Sequence, residues 1–267
     1  KDSLSMAARV IHPNGEIEIV KAPPTLVISA YCTCPDITKV ITPDIKRPEE
    51  SRILFIDLSK GKNRLGGSAL AHCYKQIGDD CPDVDDPDLL KNAFNAIQEM
   101  IDEGIILSGH DRSDGGLITA LLEMAFSGNC GLKITLDNIL KTDEPVSEKD
   151  ILPHLFSEEL GLLVEYLPEK ESQVFSILEK YSVESKIIGE TLKEKRIKID
   201  ISINNSEVIT IFNQDMRDLR ALWEETSYQL DRLQANPECV EEEKANIYDR
   251  TGPLYELSFN PEETPSI

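Results

Sequence analysis

Residues 51–212 predict an α+β fold, a mixed β-sheet with helices packed on one side. Three observations carry that expectation. Strand-length runs at 53–58 and 160–166 are nearly all apolar, whereas 196–203 and 206–211 alternate, so the strands differ in how they are buried. Helix-period apolar spacing fills the stretches between several of these runs. Asn204-Asn205 joins the last two as a hairpin turn.

Taken in order, the chain opens on a Ser-containing turn and a strand pattern at 16–20, followed by another at 25–31 (TLVISAY). Two strands bury little by themselves. Residues 1–50 therefore read as the truncated end of a preceding domain. ILFIDL at 53–58 is a strand, apolar except for Asp57, and leads through a loop at 59–67 into a helix at 68–77. Pro87 opens a second helix to about 103, with Leu89, Leu90, Ala93, Phe94, Ile97 and Met100 on one face. Residues 105–136 then read as strand, polar knot, helix and strand. After the strand at 160–166 come an amphipathic helix at 169–180, a short strand at 187–188 and the hairpin. From 213 onward Leu219, Leu222, Trp223, Tyr228, Leu230 and Leu233 recur at helical spacing among charges, and prolines follow. Residues 213–267 read as a helical linker toward another domain.

Composition excludes several classes of function. The formal charge of −21 argues against a duplex nucleic acid partner, which needs clustered Lys and Arg. A phosphorylated small molecule is still allowed, because backbone N–H groups and a divalent cation can hold phosphate. No apolar run approaches the roughly 20 residues that span a membrane. The chain begins at Lys1 with neither Met nor a signal pattern, which reads as a fragment. Six cysteines without C-x-x-C spacing suit a reduced, cytoplasmic setting better than a zinc site or a disulfide framework. The acidic runs at 79–88 and 241–243 read as solvated faces.

Two Gly-Gly pairs each open a helix: Gly66-Gly67 before Ser68, and Gly115-Gly116 after Asp114. Glycine permits close backbone approach and the helix start offers unpaired N–H donors, so both are candidate phosphate cradles. Ser68 and Asp114 are equally natural N-caps. Asp111, at a strand end, suits a magnesium ligand, and Ser113 lies two residues on, in reach of the same phosphate. Arg64 and Arg112 pair either with phosphate or with local acids, and both readings stand. His110 reads as a hydrogen-bonded packing residue before a general base, while His12, His72 and His154 read as structural. Glu158-Glu159 reads as an acidic turn ahead of a strand.

The runs KDSLSMAAR at 1–9, NRLGGSALAHCYKQIGD at 63–79, GHDRSDGGLITALLEMAFSGNCG at 109–131, LFSEELGLLVEY at 155–166 and LRALWEETSYQLDRLQANPECVEEE at 219–243 closely resemble the phosphoribosylformylglycinamidine synthase family. The last two point to its long single-chain form. The resemblance implies an ATP- and magnesium-dependent amidotransferase of purine biosynthesis. Such an enzyme converts formylglycinamide ribonucleotide, glutamine and ATP to the amidine. The long form has two homologous halves and a glutaminase domain, and this chain corresponds to part of the second half. The resemblance divides it into residues 1–50 (end of an N-terminal-type subdomain), 51–212 (a C-terminal subdomain like that of aminoimidazole ribonucleotide synthetase) and 213–267 (linker).

The same resemblance implies Asp111 as metal ligand and Ser113, Gly115 and Gly116 as nucleotide contacts. It also implies Gly66, Gly67 and Ser68 as contacts of a substrate or nucleotide phosphate. The remaining metal ligands fall before Lys1, so the fragment is expected to be inactive alone and to pack on other domains of its polypeptide. The family has a catalytic and an auxiliary nucleotide site, and the auxiliary one is expected here. The rival readings are a ligand-free interface module and a related ATP-dependent synthetase of the same superfamily; residues 223–243 disfavour the latter.

Overall fold

A computed structural model of the chain describes residues 7–21, 28–34, 36–137, 140, 147–203, 207–250 and 257–259. The elements are β1 (Ala7–Ile11), β2 (Ile17–Lys21), β3 (Arg52–Asp57), α1 (Ala69–Cys73), α2 (Pro87–Asp102), β4 (Ile106–Asp111), α3 (Gly116–Gly128), β5 (Gly131–Thr135), α4 (Glu148–Phe156), β6 (Gly161–Tyr166), α5 (Glu171–Lys180), β7 (Lys186–Leu192), β8 (Arg196–Ile203), β9 (Glu207–Asp215), α6 (Met216–Asp231) and α7 (Pro237–Ala245). They fall into two compact units, residues 1–38 and 39–267.

In the smaller unit β1 and β2 form an antiparallel ribbon with Ala7 opposite Lys21. A turn closes it where Gly15 N–H donates to the His12 carbonyl at 2.9 Å. The partner of the 16–20 strand is therefore 7–11 and not 25–31. Residues 28–31 have no regular structure, and 25–27 lie outside the described residues.

The larger unit is built on seven strands in the order β4-β6-β3-β7-β5-β8-β9. Every neighbouring pair is antiparallel except β5 with β8. The expected mixed α+β sheet is thus present, but its helices lie on both faces and not on one. Successive strand residues point to opposite faces, and β3 supplies apolar residues to both. Ile53 and Phe55 join the core with α3, α4 and α6, whereas Leu54 and Ile56 pack with residues of α2 and α5. An unbroken apolar strand is the mark of a sheet covered twice. Helix α3 is buried nearly all round, consistent with its almost uniform apolar sequence.

Several boundaries differ from expectation. The helix expected at 68–77 is only Ala69–Cys73, because Lys75 takes a left-handed φ of 56° and the chain turns back. On α2 the buried residues are Ala93, Ala96 and Met100, while Phe94 and Leu90 face outward. Helix α4 has no counterpart among the expected elements and carries Pro153 inside it. Its start is nonetheless written in the sequence, where the Asp150 carboxylate accepts from the Ser147 N–H at 2.9 Å. The Asn204-Asn205 turn lies outside the described residues.

Segment 39–50 is woven into the larger unit. Ile45 enters the core beside Gly128. Glu165, wholly buried on β6, accepts from the Lys46 and Arg47 amides at 2.9 Å each and from the Ser51 and Ser108 hydroxyls at 2.7 and 2.8 Å. Neutral donors alone therefore satisfy an interior carboxylate.

Candidate functional site

The polar knot lies where β4 ends against β6, with Asp111 opposite Leu162. Strand alternation splits it. Asp111 and Ser113 are exposed, the Asp111 side chain to 69%, while Arg112 between them is buried. The Arg112 guanidinium donates to the Glu159 and Leu160 carbonyls at 2.6 and 2.9 Å and pairs with Asp57 at 3.2 Å. It lies 5.0 Å from the centre of the Phe55 ring. Burial lowers its pKa, against the pull of Asp57 and Glu159.

Arg64 is likewise engaged with acids. Its Nε meets the buried Glu159 carboxylate at 2.5 Å and its Nη2 meets Asp85 at 2.7 Å. The hydrogen bond to Glu159 is the main reason its pKa is raised. Both arginines thus answer local carboxylates. His110 is mostly buried, with Nδ1 2.7 Å from the Asp111 carbonyl oxygen and Nε2 3.2 Å from a Glu123 carboxylate oxygen, the contacts of a hydrogen-bonded packing residue.

The two Gly-Gly loops meet at Glu158, in the acidic turn ahead of β6. One oxygen of Glu158, Oε1, accepts from Ala69 N–H at 2.7 Å and from Gly115 N–H at 2.8 Å. A carboxylate thus stands at both helix starts, in the position where a bound anion is favoured. The other amides also have acceptors. Gly66 donates to the Asp80 carbonyl, Gly67 to Ile77, Ser68 to Leu65 and Gly116 to Ser113. The Ser68 hydroxyl donates to the Leu65 carbonyl and accepts from Ala71 N–H, as an N-cap does.

Gly116 is required for a steric reason. Its φ is +76°, and a Cβ there would stand 2.6 Å from the Phe156 carbonyl carbon. The tight start of α3 is therefore set by the end of α4. The sequence signal for the joint was present as two adjacent acids just ahead of a strand, Glu158 serving both loops and Glu159 holding Arg64.

A cleft of about 690 Å³ opens on the inner side of the knot. Phe55, Asp57, Lys60, Arg112, Lys149 and His154 are among its lining residues, and neither Asp111 nor Ser113 is. His154 Nδ1 donates to the Asp150 carbonyl at 2.7 Å, leaving Nε2 to accept from the Asn63 amide at 3.3 Å. Among the described residues no group of three or more His, Cys, Asp or Glu side chains is arranged to hold a metal. Asp111 fits magnesium as a single ligand, because that ion commonly takes one or two carboxylates and fills its shell with water and phosphate.

The model of the family described as AIR synthase related protein, C-terminal domain, matches residues 52–202. The chain belongs to that family. A human phosphoribosylformylglycinamidine synthase is 46% identical over 257 residues, covering 96% of this chain and 18% of the human protein. An Arabidopsis thaliana protein named as a probable chloroplastic/mitochondrial form is 45% identical over 265 residues, covering 99% of this chain and 18% of its own length. The chain therefore spans under a fifth of these curated relatives. A solved structure of Thermotoga maritima PurL complexed with FGAR has a TM-score of 0.54 at 21% identity, covering 68% of this chain and 30% of the other. At that identity the likeness bears on fold. No helix of the described residues is long and apolar enough to cross a membrane.

Proposed function

We propose that the chain is the C-terminal subdomain of the second synthetase half of a long phosphoribosylformylglycinamidine synthase. In this reading residues 1–50 lead in from the preceding subdomain, with 39–50 already packed on the larger unit, 51–212 form the body of the subdomain, and 213–267 lead toward a glutaminase domain after Met216 and Leu219 of α6 have joined its core. The parent polypeptide is an ATP-dependent cytoplasmic amidotransferase of purine biosynthesis, acting on formylglycinamide ribonucleotide and glutamine. The observation that carries the reading is the 46% identity to a protein of that name over nearly the whole chain. The FGAR and ADP complexes of PurL from T. maritima, at TM-scores of 0.54 and 0.50, support a ligand-binding fold of this kind.

Asp111 and Ser113 are the proposed half-site for magnesium and nucleotide. Both are exposed at a strand end that opens into α3, a 13-residue helix with a positive N-terminal end. Asp111 would ligate the ion, which neutralises phosphate charge when bound. Ser113 donates its hydroxyl to a phosphate oxygen. Gly115 and Gly116 let the backbone come close, with Glu158 yielding the Gly115 N–H to the incoming anion. The tight bonding of the 66–68 loop favours a supporting role for Gly66, Gly67 and Ser68, holding Glu158 in place beside the phosphate.

The same satisfied amides favour a second reading, in which these residues bind nothing and the unit is an interface module. Nucleotide occupancy and amidine formation by the full-length polypeptide, with Asp111→Ala and Ser113→Ala, decide between the two. Lost occupancy at an unchanged chemical rate supports an auxiliary nucleotide site, and loss of both supports a catalytic one. Unchanged occupancy and rate in both variants leave the interface module standing.

A further inference from the structure

Arg112 is a buried cation between two exposed polar residues, Asp111 and Ser113. Its backbone N–H donates to the Gly161 carbonyl at 2.8 Å. Its Nε and Nη2 are directed at the Glu159 and Leu160 carbonyls and at Asp57, all within this chain. Taking such a charge out of water is costly, and a well-packed apolar side chain of similar volume would hold the fold equally well. The fold nonetheless keeps room for it. A Cβ on Gly161 would stand 2.9 Å from Phe55 Cε2 and 3.1 Å from Arg112 Nε, so the start of β6 is bare where the guanidinium and the Phe55 ring lie.

The strand leading to Arg112 is irregular. Ile106 lies opposite Tyr166 but Ser108 lies opposite Glu165, so β4 advances two residues where β6 advances one. That extra residue is a bulge, and it sets the phase of every side chain after it. A slip of one residue that absorbed the bulge would place His110, in place of Asp111, opposite Leu162. Asp111 would then turn inward and Arg112 outward, because a one-residue slip exchanges the faces of a strand. Two buried contacts oppose the slip. Ahead of the knot, the Ser108 hydroxyl donates to Glu165 at 2.8 Å; in the knot, Arg112 is tied to the start of β6 and the end of β3.

We infer that Arg112 is a positioning residue, which pins the bulged register of β4 and so holds Asp111 and Ser113 outward, toward one magnesium ion and the phosphate it carries. The inference rests on the reading of Asp111 and Ser113 as a half-site for magnesium and nucleotide. Arg112 acts on the ligand only through these two neighbours. The same grip reaches the other Gly-Gly loop. Asp57 also accepts from the Ser59 hydroxyl at 2.6 Å and the Gly61 N–H at 2.8 Å, and the residue whose carbonyl holds Arg112 holds Arg64 with its carboxylate.

The test uses the full-length polypeptide with ATP as the probe and follows its binding as magnesium is titrated. Arg112→Met should raise the magnesium concentration at half-saturation about 10–100-fold, the scale at which residues behind a metal ligand act. Misfolding would lower the amount bound at saturation without moving that midpoint. Arg112→Lys keeps the charge but lacks the fork, so its shift should be smaller than that of methionine. Gly161→Ala leaves Arg112 present and presses on it, and should move the midpoint the same way. Hydrogen exchange without ligand reads the register separately, and Arg112→Met should speed exchange across 106–113 and the paired residues of β6. An unchanged midpoint in folded Arg112→Met overturns the inference. If methionine prevents folding, the lysine and Gly161→Ala variants decide, and unchanged midpoints in both overturn it. If the unsubstituted protein binds no nucleotide, the half-site reading fails and exchange alone decides the register role: unchanged protection of 106–113 in Arg112→Met overturns it.

Discussion

Replacing Glu158 with alanine removes the one oxygen that holds two helix starts together. Two backbone N–H groups, Ala69 at 2.7 Å and Gly115 at 2.8 Å, lose a charged acceptor. Hydrogen bonds to charged groups contribute about 1.5–3 kcal/mol each in net terms. Ala69 is exposed and Gly115 half-buried, so water replaces part of the loss and the lower end of that range applies to each. The expected destabilisation is therefore about 2–3 kcal/mol, to which the dipole of α3 contributes a few tenths. Helix α1 has five residues and adds little of its own. Glu158→Gln keeps a neutral acceptor of the same reach, so its cost should be about 1 kcal/mol. Urea unfolding followed by circular dichroism gives the two values, and hydrogen exchange localises them. The Ala69 and Gly115 amides should exchange faster while the Gly67 amide, bonded to Ile77, stays protected. The reasoning is refuted if alanine costs less than about 0.5 kcal/mol, the size of an ordinary surface change, or if glutamine proves as damaging as alanine.

Gly116→Ala should cost about 3 kcal/mol or more, combining a left-handed φ for a residue with a Cβ and a contact of 2.6 Å with the backbone of Phe156. Thermal unfolding measures it, and a loss under 1 kcal/mol would mean that the α3–α4 contact yields easily. Asp215, the N-cap of α6, has its pKa held down to about 2, first by its hydrogen bond to Arg217. The unfolded chain, with a carboxyl near 3.9, then binds the proton first. Its contribution is present above about pH 4 and is lost as pH falls toward 2. Screening at this partly exposed site limits it to about 1 kcal/mol. Unfolding of the wild type and Asp215→Asn between pH 5 and 2 should converge at the acid end, and parallel profiles would contradict the shift.

The sheet was legible because its strands are written as apolar runs with clear limits: β3, β5, β6, β8 and β9 lie within a few residues of the expected positions. Coverage of both faces was legible too, because an unbroken apolar run such as Ile53–Ile56 marks a strand buried on both sides. Helix α4 is short and carries Pro153 inside it, so its local pattern is weak apart from the Ser147–Asp150 capping box. In the site, Asp111 and Ser113 stand exposed at the strand end where the motif puts them. The partners of Arg64 and Arg112 were not legible, because Glu159 and Asp57 are 95 and 55 residues away along the chain. Local spacing says nothing about a contact made by sheet order, and only the pairing of β6 with both β3 and β4 brings these groups together.

The Glu158-Glu159 dipeptide explains how the same motif can look like a ligand site and a structural joint. Glu159 is wholly buried and holds Arg64, while its carbonyl holds Arg112. Glu158, one residue earlier, faces the helix starts. The rigid half of the dipeptide thus sets the position of the half that can exchange. A phosphate arriving at Gly115 N–H and the Glu158 carboxylate seek the same donor, and two anions cannot share it without mutual repulsion. If α3 receives phosphate, Glu158→Gln should weaken the fold yet tighten nucleotide binding in the full-length polypeptide, because the competing charge is gone while the acceptor is kept. If the joint is purely structural, the substitution should weaken the fold and leave binding where it was. The opposite signs make Glu158, and not the glycines themselves, the residue that separates the two readings.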